Sequence, residues 1–389
     1  MKSLIKIFIF GLAVQSASAQ TTPEAAVQAA LQNHPLAKAA AFQVKAKKFG
    51  EKAALNLPNP EVNAESPTGE FYTIGVSQSF EFPTVYARQK QVAKAETTLA
   101  QAGQLMNENE LRYAVRSLYL ETQVAAYISD QWRERDTLYE QIAGAAARQF
   151  AAGEIDFLQK TMAENEAGKV GQERLAAELT TSGLQVQLGI FTGLADLGNL
   201  DPLSSDSSNA LFLARDEGLV NPSVTYQQQA AQVAEKQIDL AKSRALPNLS
   251  LGYMNQGARS TPIDYRFRAS IGVPLWAGQY RANQKATRME SQATIARAEA
   301  ESQAIALEKQ KVVVDALTSW SKVKYYEAEA LPRSSSLIAA ATRMREAGQI
   351  DYVTFLRTLD EAFSIQLEYA EQLAALNAAR LRMQYLSGN

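Results

Sequence analysis

The side chains best placed to act on another molecule are carboxylates beside two glycines. Ala152-Gly153-Glu154-Ile155-Asp156-Phe157 and Ala347-Gly348-Gln349-Ile350-Asp351-Tyr352 share the pattern Ala-Gly-x-Ile-Asp-aromatic. A glycine that ends one helix, followed by an aspartate that opens the next, reads as a tight helix-to-helix turn. The carboxylate then accepts from the first amides of the new helix and complements its dipole. Reaction chemistry is poorly supplied. Cysteine is absent and His34 is the single histidine, so disulfides, thiol catalysis and zinc sites of the usual Cys/His type are excluded by inventory. His34 precedes Pro35 at a helix break, where capping or packing is its expected role. No Ser/His/Asp set, GxxxxGK loop or HExxH occurs, so neither an enzyme nor a cofactor is expected.

A second group of polar residues lies on two strand hairpins. In the stretch Phe71 to Phe82, Tyr72, Ile74, Val76, Phe80 and Phe82 share one face, while Phe71, Thr73, Gly75, Ser77, Ser79 and Glu81 share the other. From Tyr265 to Leu275 the apolar residues, among them Phe267, Ile271 and Val273, fall on odd numbers, and Arg266, Arg268, Ser270 and Gly272 on even ones. About ten residues of such alternation with aromatic ends suit a tilted membrane-crossing strand, lipid on the greasy face and water on the small polar one. Arg266 and Arg268 fit either a wet lumen or an exposed strand end.

The rest reads as helix. Between Pro83 and Gly153 lies a run of about 65 residues with few helix breakers, which would reach on the order of 100 Å. Lys2 and Lys6 precede an apolar run ending at Val14, then Ala17-Ser18-Ala19, so residues 1–19 read as a signal peptide. The remainder falls into a first repeat, 20–200 (helix, hairpin at about 59–82, long helix, turn at 153, helix), a polar linker, 201–215, and a second repeat, 216–389. The second repeat has the same order, with its hairpin at about 249–275, a long helix from about Ala277 to Ala330, and its turn at 348. Pro58 and Pro247 lie 189 residues apart, Pro83 and Pro274 191, and Gly153 and Gly348 195. Four strands cannot close a barrel, and a sheet edge is costly in lipid, so several protomers must contribute, giving eight strands in a dimer or twelve in a trimer. The net charge of -2 argues against nucleic acid as a partner.

Leader, duplication, Pro-bounded hairpins and glycine-marked turns, in this order over nearly the full length, resemble the TolC family of outer-membrane efflux proteins. The resemblance implies a mainly α fold with a membrane β-barrel contribution: a long α-helical barrel, or tunnel, through the periplasm plus four transmembrane strands per protomer. It implies a homotrimer, hence a twelve-stranded barrel in outer-membrane lipid, working with a periplasmic adaptor (membrane fusion protein) and an inner-membrane RND-type pump. Gln78-Ser79-Phe80-Glu81-Phe82-Pro83 and Ala245-Leu246-Pro247-Asn248 through Tyr253, with Asn255-Gln256, look most like the branch serving heavy-metal resistance pumps of the Cus or Czc type. The expected function is therefore a passive export duct, for heavy-metal cations in that branch. A duct for drugs or for type I protein secretion, and a structural coiled-coil surface protein, are the alternatives.

The resemblance places Gly153, Glu154, Ile155, Asp156, Gly348, Gln349, Ile350 and Asp351 at the periplasmic tip, where relatives meet the adaptor. Repeated threefold, Glu154, Asp156 and Asp351 could form an acidic rim, a role that coexists with capping. Some relatives carry an aspartate pair further along the second helix, where this chain has Thr354 and Arg357, so that constriction is not carried over. No metal ligand set is expected.

Overall fold

Proline and a short polar side chain open most of the helices. α1 (Pro23–Asn33) and α2 (Pro35–Ala53) both start on proline, whose missing N–H costs nothing at a first helical position. His34 caps α2, its Nδ1 accepting from the Leu36 amide at 3.3 Å. A strand pair follows, β1 (Glu61–Glu65) and β2 (Thr73–Phe80), then α3 (Pro83–Ala151) and α4 (Phe157–Thr192). The second half repeats the order: α5 (Pro222–Ser243), β3 (Asn248–Asn255), β4 (Phe267–Gly272), α6 (Ala277–Tyr325), a π-helical turn (Tyr326–Ala330), α7 (Leu331–Glu346) and α8 (Tyr352–Ser387). This computed structural model describes residues 21–65, 73–203, 220–255 and 266–389. The expected leader, the linker beyond Leu203, Phe71, Tyr72 and Tyr265 lie outside them. No described helix is long and apolar enough to cross a membrane.

The expected helix end at Ala330 is displaced. Helical structure continues through the π turn to Glu346, because Pro332 falls in the first turn of α7, where its ring and missing N–H are tolerated. Duplication is tighter in the helices than in the prolines: α4 and α8 each hold 36 residues and start 195 positions apart, at 157 and 352.

The chain forms two compact units, each drawing on both repeats. One comprises Met1–Ala30, Ala114–Ser207 and Ser319–Ala378. Its main core gathers Tyr139 and Ile142 of α3, Ala163 and Val170 of α4, Ala341 of α7, and Phe355, Leu359 and Phe363 of α8. Arg135 joins α3 to α8 by pairing with Asp360 and lying against the rings of Trp132, Tyr139 and Phe363. Thr21 is fastened from all sides: its amide donates to the Asn199 carbonyl at 3.1 Å, its hydroxyl to the Leu197 carbonyl, and its own carbonyl accepts from Tyr119 Oη at 2.6 Å.

The other unit comprises Leu31–Tyr113, Ser208–Thr318 and Ala379–Asn389. It holds the sheet, whose order is β1-β2-β3-β4, every neighbour antiparallel. Val312, Ala316, Ala379 and Leu386 form a core cluster in it. Nearby, Arg382 lies against the rings of Tyr113 and Tyr385 and pairs with Glu308.

Candidate functional site

Register decides which side chains share a sheet face. Val62 pairs with Val76, Val76 with Tyr253 and Tyr253 with Phe267, so one apolar rung crosses all four strands. Phe80, Leu249 and Ile271 make a second rung, and Ala64 stands beside Ile74. Tyr253 and Phe267 meet edge to face, centroids 5.5 Å apart. The face is open to its surroundings: Ile74, Val76, Phe267, Ile271 and, just past β4, Val273 are all exposed, as are Leu275 and Trp276 beyond.

The opposite face is mostly small or polar, with Met254 beside Gly75 and Arg268 as its bulkier members. Ser79, Ser250 and Ser270 stand in one rung, the hydroxyls of the last two 3.0 Å apart. Ser77, Gly252 and Arg268 form the next. Glycine at 75 fits a close approach of β3, since a Cβ there would come 3.2 Å from the Tyr253 carbonyl oxygen and 3.6 Å from Met254 Cγ. Glu81 follows the end of β2, and its amide donates to Tyr86 Oη at 2.9 Å. Arg266 immediately precedes β4, and its guanidinium approaches Tyr253 Oη at 3.5 Å, a residue of the apolar face. Gln78 is the one polar side chain among the described residues of β2 on the apolar face. Its amide donates to the Pro58 carbonyl at 2.6 Å and to the Ser79 carbonyl at 3.0 Å, so the donor is satisfied.

The two glycine turns have the same hydrogen-bond pattern. Gly153, at φ +76°, donates to the Phe150 carbonyl and Glu154 to the Gln149 carbonyl; Gly348, at φ +67°, donates to the Arg345 carbonyl and Gln349 to the Met344 carbonyl. These paired bonds are the Schellman ending of a helix, which requires the left-handed conformation that glycine adopts without strain. Ile155 and Ile350 then turn inward against the main core of their unit.

Each aspartate starts the next helix. Asp156 accepts from the Gln159 amide at 2.8 Å while Gln159 Oε1 accepts from the Asp156 amide at 3.4 Å, a reciprocal capping box. Asp351 accepts from the Thr354 amide at 2.7 Å. That bond, assisted by the Thr354 hydroxyl, holds the Asp351 carboxyl below the usual aspartate range. Its folded value being the lower one, the stabilisation is present above the ordinary aspartate pKa and fades as pH falls through the lowered one. The melting difference between wild type and Asp351→Ala should therefore be largest near neutrality and shrink on acidification. Replacing Asp156 by alanine should cost about 1 kcal/mol by the usual price of a lost cap, read by thermal melting.

Side chains also tie the two turns to each other. Gln149 Oε1 accepts from Arg345 Nη2 at 3.1 Å and lies 3.5 Å from Tyr352 Oη, while the Arg345 guanidinium sits 3.9 Å from the centre of the Tyr352 ring. Around them Phe150, Phe157, Leu158, Met344 and Val353 are exposed apolar residues, and Phe150 meets Phe157 edge to face. The aromatic of the repeated motif marked Phe157 and Tyr352; nothing local marked Gln149 or Arg345. Among the described residues no group of three or more His, Cys, Asp or Glu side chains is gathered to hold a metal ion.

No family model matches the chain, and no curated protein resembles it closely enough in sequence to count. Solved structures resemble it throughout. A membrane protein of Pseudomonas aeruginosa has a TM-score of 0.78 at 15% identity over 94% of this chain and 90% of its own. The CmeC outer membrane channel of Campylobacter jejuni gives 0.76 at 13% identity over 94% and 85%. The transmembrane channel CusC gives 0.73 at 15% over 94% and 92%. The chain therefore has the mainly helical fold of these channels, with its small antiparallel sheet.

Proposed function

We propose that this chain is the outer-membrane duct of a tripartite efflux system, passive in itself and driven by an inner-membrane pump. The mainly apolar face, whose rung Val62-Val76-Tyr253-Phe267 crosses all four strands, with a mostly polar face behind it, carries the reading. β1 and β4 end the sheet among the described residues. In lipid such edges must be paired, and three copies supply twelve strands, enough for a barrel. Ile74, Val76, Phe80, Phe267, Ile271 and Val273 then face lipid, and Ser77, Ser79, Arg268 and Ser270 face water in the lumen. Glu81, just past the end of β2, and Arg266, just before the start of β4, lie at its opposite ends.

The two glycine turns are the docking end. Rigidly capped, tied together through Gln149, and flanked by exposed Phe157, Leu158 and Val353, they offer an apolar patch with carboxylates beside it to a periplasmic adaptor. A photocrosslinker at Glu154 or Gln349 should capture the adaptor, whereas one at Asn63 of β1 should not. Capture from Asn63 alone would reverse the orientation.

Heavy-metal cations are the proposed cargo, supported by the hairpin sequences that resemble the metal branch. A lining without strong ligands suits passage, because a tightly held ion would not leave. Deleting the gene and scoring growth in graded copper, silver, zinc and cobalt, with dyes and detergents in parallel, tests both levels. Metal sensitivity supports the cargo, sensitivity to dyes alone replaces it with drugs, and no change in any condition removes the efflux reading.

A further inference from the structure

The second long helix is one residue longer than the first, and the extra residue can be located. α3 holds 69 residues and starts 194 positions before α6, at 83 and 277, but ends 195 positions before α7, at 151 and 346. Burial makes the same step. Thr97 and Ser291, Thr122 and Ala316, and Ser129 and Val323 are buried pairs 194 apart; Tyr139 and Ser334, and Ala146 and Ala341, are buried pairs 195 apart. The register changes between Val323 and Ser334. The described departure from α-helical bonding within that interval is the π turn Tyr326–Ala330, closed by the Leu331 amide on the Tyr326 carbonyl.

An extra residue in a continuous α-helix would rotate everything after it by about 100°, turning Ser334 and Ala341 out of the core. A single wide turn absorbs it instead. Pro332 favours that place, because it offers no N–H to the turn before it. Across the wide turn two side-chain bonds run in opposite directions. Tyr326 Oη donates to Glu368 at 2.7 Å, and Tyr369 Oη donates to Glu327 at 3.3 Å. Both tyrosines are pushed up to about 12, Tyr326 first by its glutamate bond and Tyr369 first by burial, so both stay donors at physiological pH.

We propose that this inserted residue is a built-in pivot: the wide turn lets the arm Leu331–Glu346 change its inclination to α6, and the crossed tyrosine–glutamate pairs hold it at rest. As a motion of a duct the pivot rests on the function proposed above, but its register and its opening are measurable without transport.

Deleting Ala328 in the full-length chain should heal the turn to α-helix with both flanks still in register. Assembled protein should form at wild-type level, preferably with Pro332→Ala added to remove the ring clash. Deleting Ala316, where no wide turn exists, should abolish assembly. Hydrogen exchange of the 326–331 amides should slow about tenfold in the Ala328 deletion, and speed up in Tyr326→Phe with Tyr369→Phe. Substrate export should fall in the Ala328 deletion although assembly is intact. Loss of folding in both Ala328 deletions, with and without Pro332→Ala, would overturn the register assignment. Unchanged exchange and unchanged export would overturn the pivot. Failure of the conduit reading would be recognised separately, as wild-type protein that neither exports nor conducts.

Discussion

Arginine at position 76 should keep the protein out of the outer membrane. Val76 lies in the middle of β2, exposed on the apolar face in a rung with Val62, Tyr253 and Phe267. A charged side chain there would meet hydrocarbon at about 2–4 kcal/mol per protomer, and every protomer of the assembly would carry it. Val76→Arg should lower the yield of assembled, membrane-extracted protein more than tenfold by that cost. Ser79→Arg, three residues away on the small polar face, should still insert. Normal assembly of Val76→Arg would mean that this face meets water or protein, and the barrel reading would fail with it.

The second large effect is on stability. Leu359 is fully buried where α3, α4, α7 and α8 meet. Leu359→Ala should cost about 3 kcal/mol, the transfer of the lost methyl groups plus the cavity they leave, and lower the melting temperature by several degrees. Leu158→Ala, at a residue 65% exposed, should leave melting unchanged and weaken adaptor capture from Glu154. A drop in melting without a change in capture would place Leu158 in the fold and not at a docking surface.

Much of this architecture could be read along the chain because its signals are local. Alternation of period two sets the strand faces, and the structure's register joins those faces into continuous rungs as far as the described residues extend. A glycine followed three residues later by aspartate marks both turns, since left-handed backbone and helix capping each have a narrow choice of residue. What escaped the sequence has no local signature. Arg135 and Asp360 stand 225 positions apart, and Gln149 and Arg345 196, so neither contact leaves a spacing to recognise. Gln78 contradicts the alternation of its own strand and is accommodated by the Pro58 carbonyl, a partner beyond the hairpin's edge. The extra residue near Tyr326 changes the composition of the helix hardly at all. It shows only when helix ends and burial are compared between the two copies.

The fastening of Thr21 has a consequence in time. Its partners at Leu197 and Asn199 are about half a chain away, the hydroxyl contact closing a loop of 176 positions. A chain threaded across a membrane from its amino end delivers Thr21 long before Asn199. Closing so distant a contact is slow in its own right, because the entropy of a long loop is spent before any contact repays it. In a chain exported that way, Thr21 meets Tyr119 as α3 arrives but waits for Leu197 and Asn199 until α4 has followed.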